Sequence, residues 1–377
     1  MIYLLAFLMN LTTGLQIIGN PLLAIEWFDA GPLTLGVLGT LGAGTYACAC
    51  LVSGSLVDRL GFRRILIISC VFLILIYPAI LVISRLWHLF IIVILGSLGV
   101  SLFWPAMMRW VGEEERGPAL RRRIGSFNIC LISGVLAGNV ICGAVFVLNG
   151  RYPYLLSAVL VFIILFLLLL ERRRFNRRPA PPFVKIEIPE EERHIPGVIY
   201  IGWLANFASW FAIGSAEYLF PKLALDLGLS TGILAVLIAM IPLGEITVFS
   251  LLRRTNFWHY NLPALVFSQL MGIAGLFILC LTGQRLLFGL GLLLIGGCGG
   301  MSYFSSLFYS LHRQAGKGRK SGFHESILGL GVALGPIAGG AAAQVWNLRA
   351  PYLLAAVVFI LSLACQVVIV RRVASRE

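Results

Sequence analysis

The feature that most constrains this chain is a succession of apolar runs, each about 20 residues long, broken by short polar turns. A helix needs a run of that length to cross a hydrocarbon core of ~30 Å. No water reaches that layer, so the backbone must satisfy its own N–H and C=O groups, and a helix does so within one segment. Six runs are expected at 3–24, 33–53, 64–84, 88–109, 125–148 and 153–170. Six more are expected at 197–220, 230–252, 262–282, 286–311, 323–345 and 351–370. Of the 377 residues 59% are hydrophobic and only 12% charged, more apolar surface than a soluble domain of this length could hide. The expected fold class is an all-α polytopic membrane protein with 12 transmembrane helices.

The formal net charge of +13 could point to nucleic acid, but its distribution points to membrane orientation instead. With the first turn placed outside, 24 of the 29 Lys and Arg residues fall in inside segments and five in outside turns. Positive charge concentrates on the cytoplasmic side of membrane proteins. Both termini are therefore expected in the cytoplasm, with the chain multi-pass in the cytoplasmic (inner) membrane. Met1-Ile2-Tyr3 leads straight into apolar residues without a basic n-region, so the first run reads as a retained span rather than a signal peptide. The eight cysteines all lie in apolar runs and form no CxxC pair, which suits packing rather than metal binding.

The longest polar stretch, Glu171–Pro196, passes from an arginine cluster through Pro179-Ala180-Pro181-Pro182 to Glu190-Glu191-Glu192. It reads as a cytoplasmic linker, with a lipid-binding role for its arginines as the alternative. The domain expectation is a six-helix bundle over 1–171, a linker over 172–196 and a second six-helix bundle over 197–377.

The stretch Gly54–Arg64 holds one acid, three arginines and two glycines between two apolar runs. Its composition suits a tight loop at the water boundary. The glycines would permit the turn and close helix approach, and the arginines would bind helix-end carbonyls or lipid phosphate. Asp58 sits among Arg59, Arg63 and Arg64. Gly54, Asp58, Arg59, Gly61, Arg63 and Arg64 resemble the loop motif between helices 2 and 3 of the major facilitator superfamily. The resemblance implies two pseudo-symmetric six-helix bundles, alternating access and a gating role for this motif.

Two halves are also visible as a repeat. Arg123, Gly125, Gly134, Gly138 and Gly143 recur as Lys320, Gly322, Gly331, Gly335 and Gly340, all at one offset of 197 residues. The first and seventh runs share an Asn, at Asn10 and Asn206, and end alike at Pro21–Glu26 and Pro221–Asp226. Parallel repeats of this kind are a known transporter build. Gly331, Gly335, Pro336, Gly339 and Gly340 also resemble the superfamily's glycine-proline motif, best known from the fifth span of its antiporters. Here it lies in the eleventh, and Gly138-Asn139 in the fifth has Asn where Pro would stand. That departure, and a fourth span without a central Arg, count against the drug–proton antiporter branch. Small residues let helices approach closely, so plain packing is the alternative reading.

Polar residues inside spans mark a substrate path. Asn10 and Gln16 in the first span, Trp104 in the fourth, Asn206, Trp210 and Glu217 in the seventh and Tyr303 in the tenth are the candidates. In the superfamily these helices line the central cavity, so the resemblance implies that they face substrate. For each neutral residue the alternative is a helix–helix hydrogen bond. Tyr309, close to the cytoplasm, could instead belong to an interfacial belt. Glu325 suits the N-terminal dipole of the eleventh helix, and Glu245, near Arg253 and Arg254, is read either as a snorkelling or salt-bridging structural acid or as a functional one. Glu217 is read either as a proton-coupling or cation-binding acid, or as half of a gate salt bridge with Lys222 or another outer-loop base. No cofactor and no metal are expected. The expected partners are membrane lipid, a small-molecule substrate and protons or another coupling ion, with no nucleic acid, and the chain is expected to be a monomer. The function expected is secondary active transport. The alternatives are a membrane-embedded enzyme, for which no clustered catalytic set is visible, and a non-transporting receptor.

Overall fold

The structure, a computed structural model, describes residues 1–114, 118–171, 197–311 and 317–374. The expected linker at 172–196 lies outside them, as do several basic residues used for orientation. Within the described residues there are 12 helices long and apolar enough to cross a membrane. In the N-terminal half these are α1 (Ile2–Phe28), α2 (Pro32–Leu60), α3 (Phe62–Ile76, continued as a 3-10 turn over Tyr77–Val82), α4 (Leu86–Glu114), α5 (Pro118–Leu148) and α6 (Tyr152–Leu170). In the C-terminal half they are α7 (Val198–Asp226), α8 (Thr231–Ile238 and Met240–Leu252), α9 (Leu262–Leu281), α10 (Arg285–Leu311), α11 (Lys317–Val345) and α12 (Ala350–Ala374). The break in α8 has a local cause. Pro242 has no N–H for the Ile238 carbonyl, and the helix is interrupted at Ala239 between them.

The chain divides into two compact units. One comprises Met1–Asp29 and Leu41–Glu187, the other Ala30–Thr40 and Ile188–Glu377. The first turns of α2 thus cluster with the C-terminal unit.

In the first unit α1 and α5 pack at backbone distance. A Cβ at Gly134 would overlap the Phe7 carbonyl oxygen, one at Gly138 the Leu11 carbonyl, and one at Gly14 the Val135 carbonyl. The second unit repeats this with α7 and α11. A Cβ at Gly331 would sit 2.8 Å from the Phe207 carbonyl oxygen, and one at Gly214 would sit 2.9 Å from that of Val332. At Gly335 the overlap is with the Phe211 carbonyl. The glycines keep the 197-residue offset, and their carbonyl partners on α1 and α7 differ by 200. The repeat is therefore a repeat of contacts as well as of letters. Pro336 adds to it, because without an N–H it leaves the Val332 carbonyl free of its usual helical donor, and that carbonyl is the one lying over Gly214. A Cβ at Gly339 would crowd Leu219 and Pro351, and one at Gly340 would lie 2.6 Å from the Pro32 carbonyl oxygen.

Elsewhere in the second unit Gly244, Gly296 and Gly300 bring α8 against α10. Gln269 on α9 and Gln366 on α12 exchange two amide hydrogen bonds, at 3.1 and 2.9 Å. Asn261 caps α9 by accepting from the Ala264 N–H at 3.1 Å.

One expectation is overturned here. Gly54–Leu60 is not a loop but the last two turns of α2, and the reversal is made at Gly61 alone, with φ at +82°. A helix can run into the water boundary because its backbone bonds are internal, so the polar composition did not require a loop. A Cβ at Gly54 would meet nothing within 4 Å, so that glycine makes no close helix approach.

Candidate transport site and gating elements

In the first unit, Asp58 does not pair with its sequence neighbours. Its carboxylate accepts from Arg109 of α4, 51 residues away. The Asp58 and Arg109 side chains are 75% and 39% exposed. Arg63 donates to the Leu168 carbonyl near the end of α6 at 3.2 Å, the helix-end contact expected of an arginine here. Phe62 stacks on Trp110 with ring centroids 5.8 Å apart. Asp58, Arg63 and Phe62 thus tie the α2–α3 junction to α4 and α6. Arg59 and Arg64 are exposed.

In the first span several polar side chains have hydrogen-bond partners within the unit. Gln16 donates to Ser157 of α6 at 3.0 Å, and Tyr154 of α6 donates to Asn20 at 2.6 Å. Thr12 and Thr13 bond back to the carbonyls of Leu8 and Met9. For Gln16 the bond to Ser157 is the helix–helix contact that the alternative reading names. A Gln16→Ala variant is expected to lose about 1 kcal/mol of stability with substrate affinity unchanged, as read by thermal unfolding and flux. Asn10 is buried on α1 beside Gly134 of α5, and Trp104 is half-buried on α4 with its ring edge-on to Phe103. Asn139, which stands where Pro336 stands in the repeat, is fully buried, and neither amide atom has a hydrogen-bond partner.

In the second unit the candidates converge. Asn206 and Trp210 occupy one face of α7 a turn apart. The Trp210 ring lies 6.4 Å from Tyr303 of α10, and Tyr303 lies 5.1 Å from the His324 ring of α11, both edge-on. His324 is fully buried. Its Nδ1 is 2.7 Å from the Ser306 hydroxyl, while Nε2, Trp210 Nε1 and both Asn206 amide atoms have no hydrogen-bond partner. Buried polar atoms are nearly always satisfied, and exceptions call for an explanation such as a ligand or water. His324 escaped the sequence reading because its partner Ser306 is on another helix.

The acids also differ from expectation. Lys222 pairs with Asp226 at 3.2 Å, one turn along α7, and so is not engaged by Glu217. Glu245 is only 4% exposed and reaches neither Arg253 nor Arg254, which lie about two turns further along the chain. It faces α10, where a Cβ at Gly299 would lie 3.6 Å from its Oε1. Among the described residues neither Glu217 nor Glu245 has an ion-pair partner. Glu325 is not in the first turn of its helix, since α11 begins at Lys317 and Glu325 lies in the third turn, beyond the reach of the terminal dipole. Tyr309 is 2% exposed and stacks on Tyr260 at 5.4 Å, so it belongs to an aromatic core with Trp258 and Phe308 and not to an interfacial belt. Within the described residues no group of three or more His, Cys, Asp or Glu could hold a metal ion.

No curated protein matches this sequence. Solved structures do match its fold. The nucleoside transporter NupG aligns at TM-score 0.72 and 11% identity, over 98% of each chain. A bacterial homolog of the human lysosomal transporter Spinster aligns at TM-score 0.73 and 14% identity, over 99% of this chain and 96% of that one. The human organic anion transporter MFSD10 aligns at 0.65 and 15%, over 96% of each. The family model of the Major Facilitator Superfamily matches residues 2–320. With its 12 spans, its paired glycine contacts and that match, this chain belongs to the Major Facilitator Superfamily.

Proposed function

We propose that the protein is a secondary active transporter. It moves a small solute across the cytoplasmic membrane by alternating access of its two six-helix units, driven by a cation gradient, with both termini in the cytoplasm. The observation that carries the coupling is Glu217, a half-buried carboxylate in the middle of a span whose nearest basic residue in sequence, Lys222, is taken by Asp226. An ionised, unpaired acid in a span is expensive, so the group must hold a proton or meet a cationic solute. Asn206, Trp210 and Tyr303 supply the substrate contacts of the C-terminal unit, and Asn10 and Trp104 those of the N-terminal unit. The fold itself does not select the cargo, since NupG and MFSD10 are named for different solutes. The reading is tested by uptake of a solute panel into proteoliposomes under an imposed proton gradient. Gradient-driven accumulation of at least one solute is expected. Binding without flux would favour a receptor, and chemical conversion of a solute an enzyme.

Asp58–Arg109 supports one end-state of the cycle. Exposed pairs contribute about 0–1 kcal/mol, and 1.4 kcal/mol is a tenfold change in an equilibrium. Asp58→Asn is therefore expected to fold normally and to shift the state ratio by about fivefold at most. The shift is read as raised cysteine labelling at the cytoplasmic side with reduced flux. Labelling and flux equal to the wild type would remove the gating role.

A further inference from the structure

We propose that Asn206, Trp210, Tyr303 and His324 form a recognition site within the C-terminal unit for an uncharged planar ring with an amide-like edge, a hydrogen-bond donor beside an acceptor. The site rests on the substrate role given above to Asn206, Trp210 and Tyr303. It adds His324 and names the chemistry of the cargo.

Placement is the first argument. Gly202, Asn206 and Trp210 follow one another at four-residue intervals and so share one face of α7. A Cβ at Gly202 would lie 3.1 Å from the Ser306 Cα of α10. The Trp210 ring lies edge-on to Tyr303, one turn earlier on α10. Asn206 stands between these two contacts, so its amide is directed at the stretch from Tyr303 to Ser306. His324 of α11 reaches the same two residues. Its Nδ1 is 2.7 Å from the Ser306 hydroxyl, and its ring is 5.1 Å from that of Tyr303. α7 and α11 therefore present Asn206 and His324 to one stretch of α10.

The unpaired atoms are the second. Asn206 and His324 are both fully buried, and Asn206 Nδ2 and Oδ1, Trp210 Nε1 and His324 Nε2 have no hydrogen-bond partner. The Glu325 carboxylate, 3.8 Å from Nε2, is too far to supply one. Leaving enclosed polar atoms unpaired is costly, and a bound molecule or water is the usual explanation. Trp210 Nε1 and Asn206 Nδ2 only donate, and Asn206 Oδ1 only accepts. A carboxylate offers acceptors alone and would leave Asn206 Oδ1 unpaired. An ammonium offers donors alone and would leave Trp210 Nε1 and Asn206 Nδ2 unpaired. An amide-like edge offers both, and it pairs with the Asn206 amide in one plane.

The surroundings are the third. Trp210 and Tyr303 are half-buried, so both rings keep surface on which a planar molecule can lie. The Lys and Arg side chains described in this unit stand near helix ends. On α7 that residue is Lys222, 12 residues beyond Trp210 and paired with Asp226. An anionic ring would therefore lie in the span without a counter-charge from these residues. Glu217 stands seven residues beyond Trp210 on the same face, about 10 Å along the helix. An uncharged cargo leaves that carboxylate to the coupling cation, so the two occupy separate places on α7.

The probes are nicotinamide, the anion nicotinate and the cation 1-methylnicotinamide, rings of like shape and different charge, with uracil, 2-pyridone and glucose beside them. Binding is measured by isothermal titration calorimetry on the full chain in lipid nanodiscs. Saturable binding of at least one of nicotinamide, uracil and 2-pyridone is expected, with both charged rings weaker by about tenfold or more. Asn206→Leu is expected to weaken that binding by about tenfold or more. It should nevertheless unfold at the wild-type temperature or above, since the amide it removes has no partner in the empty protein. His324→Phe, which keeps a ring and loses both nitrogens, and Trp210→Phe, which loses the indole N–H, are expected to weaken binding in the same direction. They keep the test open should Asn206→Leu fail to fold. Unchanged binding in the folded variants overturns the site. Nicotinate, 1-methylnicotinamide or glucose bound as tightly as the uncharged rings overturns the cargo class. Binding of none of the uncharged rings overturns the proposal alone, and accumulation of another solute in the proteoliposome assay then keeps the transport reading. Binding without gradient-driven accumulation keeps the site and overturns the transport reading.

Discussion

Leucine at Gly335, or at its repeat partner Gly138, is expected to remove most of the folded protein. At both positions even a methyl group would overlap a backbone carbonyl oxygen, of Phe211 and Leu11 respectively. Overpacking a core against side chains costs about 1–3 kcal/mol because those chains can move aside. A helix backbone moves only as a whole, so the cost here exceeds that range and approaches the entire stability of a domain, about 5–15 kcal/mol. Detergent-solubilised yield and monodispersity by size exclusion measure it, with more than half the yield lost. Leucine at Gly54, where a Cβ meets nothing within 4 Å, serves as the control and should express like the wild type. Normal yield and flux for both Gly138→Leu and Gly335→Leu would show that the α1–α5 and α7–α11 contacts are looser than described.

Glu217→Gln is expected to uncouple the transporter. The amide keeps the shape and most hydrogen bonds of the carboxyl group but cannot release a proton. Counterflow exchange of labelled solute, which needs no gradient, should continue near the wild-type rate. Uphill accumulation should fall at least tenfold, equivalent to about 1.4 kcal/mol of lost driving force. Proteoliposomes with and without an imposed gradient separate the two. Should the variant accumulate solute uphill with unaltered pH dependence, Glu217 is structural.

The helices and their family were legible in the sequence because they depend on local and periodic properties. A run of about 20 apolar residues has one stable fate in a bilayer, whatever its neighbours do. The glycine repeat at an offset of 197 announced close helix contacts before any contact was visible, since a residue without a Cβ is what such an approach needs. What paired with what was not legible. Asp58 stands beside three arginines in the chain, yet a helix directs successive side chains about 100° apart, and Arg109 on another helix meets it instead. Gln16 and Asn206 look equivalent as single polar residues in apolar runs. Ser157 satisfies the first, and the second has no partner. One reading of Glu245 made it a mate for the arginines at the end of its own helix, but it is turned toward Gly299 and Gly300 of α10. The sequence by itself determined the spans, because each follows from one segment's composition, and the glycine repeat, because it recurs at one offset. Only the tertiary structure decided which polar groups are spent on packing and which are left over. That depends on the rotation of each helix about its own axis, which is set by its neighbours.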